Sequence, residues 1–235
     1  MIGPSSETTV YARVLEHVFS GDLQPGSRVV EGRIAKELGV SRIPVRESLR
    51  RMVGQGLLTS EADGNGIRVR QYTPDDVRGL FEFRELLEGG VSRGAARSAT
   101  ETDIARLEYL FDQSLQCVNE HGTRAKWGKL DHAFHEALAD ASHNERMASA
   151  LKTLLTECHF LFYVFPSKAR DEKYHASTPE EEAERRRHVL ETEHLELIQL
   201  LKQGDAEGAE DLSRRTMRAS GERVVEVFIK LQFPD

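Results

Sequence analysis

Two short stretches of the 235-residue sequence place polar side chains at spacings that suit chemistry. In "LDHAFHEAL", Asp131 and His135 are four residues apart, so on a helix both side chains lie on one face and can share a metal ion. In "VSRIPVRESLRRMV", Arg42, Arg46 and Arg50 recur every four residues and form one stripe of guanidinium groups. The first pattern suits a divalent cation, and the second suits an array of phosphates.

Each pattern also has an ordinary structural explanation. An aspartate and a histidine one turn apart often form a surface ion pair, and arginines on an exposed helix face are often only solvated. The apolar neighbours Leu130, Phe134 and Leu138 indicate that part of the first helix is buried, which favours a site facing a cavity. The stretch is not an H-E-x-x-H metalloprotease motif, because Ala139 stands where the second histidine is required.

The formal net charge of -7 is distributed unevenly along the chain. Residues 1–72 carry 10 lysines and arginines against 8 aspartates and glutamates, whereas residues 73–235 carry 22 against 31. Phosphate neutralisation supplies much of the affinity for nucleic acid, so a local basic surface matters more than the charge of the whole chain. The N-terminal third is therefore the part suited to nucleic acid.

Composition excludes several classes of protein. The two cysteines, Cys117 and Cys158, are too few for a disulfide framework or a cysteine zinc site. We find no run of about 18 apolar residues that would form a membrane helix, and the N-terminus lacks the layout of a signal peptide. We therefore expect a cytoplasmic protein with no membrane partner, and a chain of this length favours two domains.

The arginine stripe needs a set of elements to present it. Residues 8–20 have apolar positions at helical spacing, and "EGRIAKELGV" predicts a short second helix that ends at Gly39. Ser41 is the predicted N-cap of a third helix, whose apolar face packs while its arginines point outward. Around residues 63–66, "LLTSEADGNGIRVRQY" alternates polar and apolar residues and predicts a hairpin. This is the winged helix-turn-helix order, in which the last of these helices lies in the major groove of DNA.

The N-terminal segment resembles the DNA-binding domain of the GntR family of bacterial transcription regulators. The resemblance rests on the "G-x-L-x-P-G" turn, the "L-G-V-S-R-x-P-V-R-E-x-L" core and the glycine-bearing wing, and it covers most of residues 10–70. It implies a double-stranded DNA operator as partner, with Pro44 and Arg50 expected near the backbone. The implied contacts lie in the second helix, the third helix and the wing: Arg33, Ser41, Arg42, Arg46, Arg50, Gly64 and Gly66.

Residues 73–235 read as almost wholly helical, so the expected fold is mostly α: a winged helix-turn-helix domain (1–72) followed by an all-helical bundle (73–235). Thr73 and Thr178 each precede a proline and acidic residues, a combination typical of helix starts. The segment "FPSKARDEKYHAS" is predicted to be a loop. The predicted helices lie near 74–97, 102–120, 124–141, 144–164, 179–203 and 206–229.

The C-terminal half resembles the ligand-binding domain of the FadR-like subfamily, through "LFEFRELLEGGVSRGAA", "DHAFHEAL", "HNERM" and "ETEHLELIQLLKQGDAEGAEDLSRR". Many members hold a divalent metal, such as zinc or nickel, through one aspartate and three histidines and sense a small carboxylate. Asp131, His135 and His194 match three of these ligands. Thr216 stands where the last histidine is expected, and no histidine follows His194.

This departure leaves three options. Water or effector completes a three-ligand site, another residue such as His159 substitutes, or the metal has been lost. For an anionic effector, the candidate is Arg84, since a guanidinium matches a carboxylate with two parallel hydrogen bonds. An ion pair of Arg84 with Glu85 or Glu88 is the alternative.

The sequence therefore predicts a homodimeric, DNA-binding transcription regulator with an effector-binding helical domain. The two-fold symmetry of a homodimer would match a palindromic operator. A metal-dependent hydrolase that carries a helix-turn-helix is the main alternative, although we find no phosphate loop, no nucleophile elbow and no evident base. A helical adaptor without a ligand is the third possibility.

Overall fold

The computed structural model describes residues 6–19, 23–61, 66–164 and 178–232. The chain divides into two compact units. The first contains the described residues up to Tyr72 together with 156–164, and the second contains the remainder from Thr73 onwards. Within the described ranges, no helix combines the length and the hydrophobicity that a bilayer crossing needs.

The N-terminal unit has the helix and strand order of a winged helix-turn-helix, as predicted. Its three strands form an antiparallel sheet in the order β1-β3-β2, with Thr59 opposite Arg68 between β2 and β3. The strand β1 is an addition to the prediction, because two residues are too short to give an alternating pattern. The elements are α1 (Ser6–Phe19), β1 (Arg28–Val29), α2 (Glu31–Leu38), α3 (Arg42–Gly54), β2 (Leu58–Ser60) and β3 (Ile67–Val69).

Local signals explain how α2 passes into α3. Gly39 adopts the left-handed conformation, with φ of 65°, and its N–H reaches back to the carbonyls of Ala35 and Lys36, which ends α2. Ser41 occupies the N-cap position of α3 in an extended conformation, but its side chain makes no capping hydrogen bond. The inward face of α3 is buried, as the apolar spacing predicts, and includes Val45, Leu49 and Met52.

Among its described residues the C-terminal unit contains helices and no strand. Helix ends lie within three residues of the predicted positions, with one internal exception: residues Leu190–Leu195 form a π-helical turn inside the predicted 179–203 helix. The predicted loop at 165–177 lies outside the described residues. The helices are α4 (Pro74–Ser98), α5 (Glu101–Asn119), α6 (Arg124–Ala141), α7 (Glu145–Val164), α8 (Pro179–Val189), α9 (Glu196–Gln203) and α10 (Ala206–Gln232).

Threonine caps fix the starts of several helices. The hydroxyl of Thr73 accepts a hydrogen bond from the N–H of Asp76, whose carboxylate accepts one from the backbone of Thr73 in return. Thr178 makes the same reciprocal box with Glu181 at the start of α8. These two helix starts were predicted, and each satisfies backbone groups that have no partner inside the helix.

The core of the C-terminal unit lies where α4 packs along α10 and against α6. The approach of α4 to α10 is close at Gly221, where an added Cβ would lie 2.7 Å from Cβ of Phe81. Glycine at this position therefore lets the two helices meet along their length. The fully buried side chains of the core include Val91, Leu107, Phe134, Leu138 and Leu151.

The contact at Gly221 predicts opposite results for two Gly→Ala substitutions. Gly221→Ala should lower the free energy of unfolding by about 1–3 kcal/mol, because the new methyl group overpacks the contact with Phe81. Gly79→Ala is the matched control: among the described residues, no atom outside the local helix backbone lies within 4 Å of its added Cβ, so better helix propensity should stabilise the protein by about 0.5–1 kcal/mol. Chemical denaturation followed by circular dichroism measures both, and equal midpoints would contradict the packing described for Gly221.

Candidate metal centre and nucleic-acid interface

Helix α6 and the π-helical turn bring three predicted metal ligands together. Thr123 caps α6 by accepting a hydrogen bond from the N–H of Lys126, which fixes where the helix begins. Asp131 and His135 then lie one turn apart on the same face. His194 comes from the π-helical turn and is buried beside them.

The spacing of these side chains suits one metal ion. Nε2 of His194 lies 3.6 Å from Oδ1 of Asp131, and Nε2 of His135 lies 3.9 Å from the same oxygen. One ligand atom from each of the three residues lies within 4.8 Å of the others. Tetrahedral zinc, with bonds of 2.0–2.2 Å, separates its ligands by about 3.4 Å, so a small closing movement would bring these atoms to coordination distance.

Burial keeps the imidazole of His194 in the neutral form that can bind a metal. Only 3% of the residue is exposed, and its ring stacks on Phe134 with centroids 4.0 Å apart. Burial lowers the pKa of His194 to about 4 despite the nearby charge of Asp131, so the imidazole is neutral at physiological pH and keeps a lone pair. Its buried Nδ1 has no hydrogen-bond partner among the described residues, a state that calls for a ligand or solvent.

His135 has a charged neighbour instead. Its Nδ1 lies 3.1 Å from Oε2 of Glu88, close enough for an ion pair but not aligned as a hydrogen bond. The other oxygen of Glu88 accepts a 2.5 Å hydrogen bond from Nε of Arg84. Burial would raise the pKa of Glu88, but Arg84 and His135 outweigh it and hold that pKa at about 2. Burial would likewise lower the pKa of His135, but Glu88 reverses this and raises it.

The predicted effector group, Arg84, is therefore found in an ion pair with Glu88, one of the two partners that its sequence spacing offers. The pair is buried, with Arg84 8% and Glu88 1% exposed. The contact of Glu88 with His135 was not predicted. It joins α4 to α6 through two residues that lie more than forty positions apart in the sequence, and local spacing gives no signal for such a contact.

Two other residues bear on the fourth ligand position. The hydroxyl of Thr216 donates to the backbone carbonyls of Leu212 and Ser213, so it bonds within its own helix α10. Helix α10 contacts the π-helical turn that carries His194. His159 belongs to the segment 156–164 of the N-terminal unit and is not part of the cluster of three ligands.

On the N-terminal unit, the arginine stripe of α3 is exposed as its spacing predicts. Arg42, Arg46 and Arg50 all face solvent, and the guanidinium of Arg42 lies beside Gly32 at the start of α2. Arg46 makes a two-pronged contact with Glu31, with hydrogen bonds of 2.9 and 2.7 Å. That hydrogen bond, with the charges of the three arginines, lowers the pKa of Glu31.

The other predicted DNA contacts belong to the same unit. Arg33 is an exposed side chain of α2 that bonds to Glu37 one turn later. Ser41 is exposed at the start of α3, and Gly66 immediately precedes β3. Gly64 lies outside the described residues.

Two features of this surface were not predicted. Ile43 is 66% exposed. It does not fit the spacing of the buried face of α3, so its exposure could have been predicted from that mismatch. Glu31 was not selected, because its contact with Arg46 crosses from one helix to another. The stripe of three arginines is therefore flanked by an exposed aliphatic side chain and by the carboxylate of Glu31.

Two family models match the chain. Residues 7–69 match "Bacterial regulatory proteins, gntR family", and residues 79–219 match "FCD domain". The first match covers the N-terminal elements with the arginine stripe. The second covers Asp131, His135 and His194 as well as Arg84 and Glu88.

Several known proteins are similar in sequence. The HTH-type transcriptional regulator YdhC of Bacillus subtilis is 30% identical over 150 residues, which cover 64% of this chain and 66% of that protein. The Nta operon transcriptional regulator of Aminobacter aminovorans is 32% identical over 144 residues, or 60% of this chain and 66% of that protein. Each match spans just under two thirds of the relative.

Solved structures share the fold. McbR/YncC of E. coli matches with a TM-score of 0.72 at 23% identity, covering 97% of this chain and 99% of that one. A putative GntR transcriptional regulator from Rhodococcus sp. RHA1 matches with a TM-score of 0.66 at 22% identity, covering 95% and 99%. At these identities the likeness concerns the fold alone.

Proposed function

Because this chain belongs to the GntR family of bacterial regulatory proteins and carries an FCD domain, we propose that it is a DNA-binding transcription regulator controlled by a small carboxylate. The observation that carries the proposal is the exposed arginine stripe of α3 within a winged helix-turn-helix. The family and the similar proteins are regulators, not enzymes, which leaves the hydrolase alternative without support. Acting on chromosomal DNA would place the protein in the cytoplasm.

The proposed DNA partner is a palindromic operator bound by a homodimer. A two-fold axis relating two N-terminal units would present two α3 helices to two half-sites. Arg42 and Arg46 are the proposed base-reading residues, since a guanidinium can bond to both acceptors on a guanine edge. Ile43, exposed between them in sequence, suits contact with a thymine methyl group. The remaining proposed contacts serve the backbone or the wing: Arg33, Ser41, Arg50, Gly64 and Gly66.

Selection from a random duplex library with purified protein identifies the operator and tests this function directly. Arg42→Ala or Arg46→Ala should then weaken operator binding roughly 5- to 150-fold and blunt sequence preference. Arg50→Ala should weaken all duplexes alike, and the affinity of wild type should fall steeply with salt. Arg215→Ala, an exposed arginine of α10, is the matched control. Wild-type affinity in both Arg42→Ala and Arg46→Ala would show that α3 is not the recognition helix.

The contact between Arg46 and Glu31 gives a second DNA prediction. To bind DNA, Arg46 must give up its contact with the carboxylate of Glu31. The negative charge of Glu31 would also repel the phosphates of any bound duplex. Glu31→Gln should therefore raise affinity for any duplex and reduce the ratio of operator to random-sequence affinity. Fluorescence anisotropy with both duplexes measures the ratio, and Glu47→Gln, on the same surface of α3, controls for charge alone. An unchanged ratio would mean that Glu31 does not restrain Arg46.

The proposed ligands of the C-terminal unit are Asp131, His135 and His194, and the proposed ion is a divalent metal such as zinc or nickel. Three protein ligands leave a coordination position open, and a bound cation supplies a Lewis-acid site for a carboxylate oxygen of the effector. Arg84 is the proposed second contact for that carboxylate, which would have to compete with Glu88. Water at the open position and complete loss of the metal are the alternatives to effector binding.

Metal titration separates these alternatives. Chelator-stripped wild type should bind zinc or nickel, His135→Ala should abolish binding, and Thr216→His should tighten it by adding a fourth ligand if the new imidazole is well oriented. His132→Ala, on the same helix but outside the cluster, is the matched control. Equal affinity in wild type and His135→Ala would remove the metal site. Tight binding only in Thr216→His would instead indicate a site that lost its metal through that position.

A further inference from the structure

A buried chain of charged groups leads from α4 to the proposed metal ligands. Arg84 and Glu88 lie one turn apart on α4, and Nε of Arg84 donates to Oε1 of Glu88 at 2.5 Å. Oε2 of Glu88 lies 3.1 Å from Nδ1 of His135 on α6. All three residues are at most 8% exposed. Glu88 therefore uses one oxygen for the arginine and the other for the histidine.

Stability alone does not explain a carboxylate in this position. Transferring charged groups from water into a protein core costs several kcal/mol each, and a well-packed apolar residue often stabilises a core as much as a buried ion pair does. Arg84 alone would neutralise the carboxylate, yet the second oxygen of Glu88 faces an imidazole. The arrangement is better explained by an effect on His135.

The two nitrogens of His135 face different groups. Nδ1 faces Glu88, and Nε2 faces Oδ1 of Asp131 at 3.9 Å. A carboxylate can only accept a hydrogen bond, and Glu88 at 3.1 Å from Nδ1 is nearer than Asp131 is to Nε2, so in the neutral ring Glu88 favours the tautomer with the proton on Nδ1. That tautomer leaves the lone pair of Nε2 directed to Asp131 and His194.

His194 is held by different means. Its ring stacks on Phe134 at an interplanar angle of 10°, and its Nδ1 has no hydrogen-bond partner among the described residues. Stacking restrains the plane of a ring but does not select a tautomer. Of the two histidines, His135 is therefore the one with a carboxylate facing its Nδ1.

We propose that Glu88 is a positioning residue that fixes the Nδ1–H tautomer of His135 and thereby presents Nε2 to a metal ion, with Arg84 orienting Glu88. This inference rests on the metal site of the proposed function, but the tautomer can be measured without metal. A carboxylate that accepts a hydrogen bond from a ligand histidine typically strengthens metal binding roughly 10- to 100-fold, and Glu88 lies at hydrogen-bonding distance from Nδ1 of His135.

Glu88→Gln tests the proposal with almost no change in shape. Arg84 only donates hydrogen bonds, so the amide oxygen should turn to Arg84 and the amide NH₂ should face Nδ1 of His135. Nδ1 must then accept, which moves the proton to Nε2 and blocks the metal-binding atom. We expect the opposite tautomer of His135 and roughly 10- to 100-fold weaker zinc binding.

Two measurements are needed. Long-range ¹⁵N–¹H spectra of metal-free protein, recorded where His135 is neutral, identify the tautomer, and competition with a chelator gives zinc affinity. Glu82→Gln, an exposed residue of the same helix, is the control and should match wild type in both. An Nε2–H tautomer in wild type overturns the proposal without any variant, as does an unchanged tautomer in folded Glu88→Gln. Failure of wild type to bind zinc or nickel contradicts the metal site alone, because the tautomer still reports on Glu88.

Discussion

An ionised carboxylate cannot remain in an apolar core without partners, and this constraint organises the C-terminal unit around Glu88. Glu88 is almost fully buried, and its low pKa means that it carries its charge there. Its partners come from one turn earlier on α4 and from the adjacent helix α6, so satisfying one charge also fixes how these helices face each other. The rotation of α6 in turn decides where Asp131 and His135 point.

In the N-terminal unit, a charged pair lies on the surface and not in the core. Arg46 and Glu31 also pair a guanidinium with a carboxylate, but this contact is exposed to solvent and contributes little to stability. Such a pair can be exchanged for another anion at small cost, whereas the pair of Arg84 and Glu88 cannot be separated without leaving a charge in the core. The same pairing chemistry is therefore replaceable on the surface and structural in the interior.

Local rules explain most of what the sequence predicted. Thr73 and Thr178 allow helix starts to be predicted because the capping box spans only four residues. Asp131 and His135 share a face because helical spacing requires it. The confirmed fold class, with its helix starts and buried helix faces, follows from local rules of this kind. The contacts of Glu88 with His135 and of Glu31 with Arg46 join residues on different helices, so no periodicity reports them. The two-residue strand β1 and the π-helical turn are too short or too irregular to leave a pattern.

The π-helical turn also separates two registers within one long helical stretch. Ala183, Leu190 and Leu197 recur every seven residues, and in an uninterrupted α-helix they would line one side. Instead Ala183 and Leu190 pack with Val118, while Leu197 joins the main core, because the turn accommodates one extra residue and rotates the two halves by about 100°. Deleting a single residue in this turn would restore a regular α-helix, but the apolar side chains of one half would then no longer face the residues they pack against. The orientation of His194 within the turn is therefore not dictated by the apolar faces on either side.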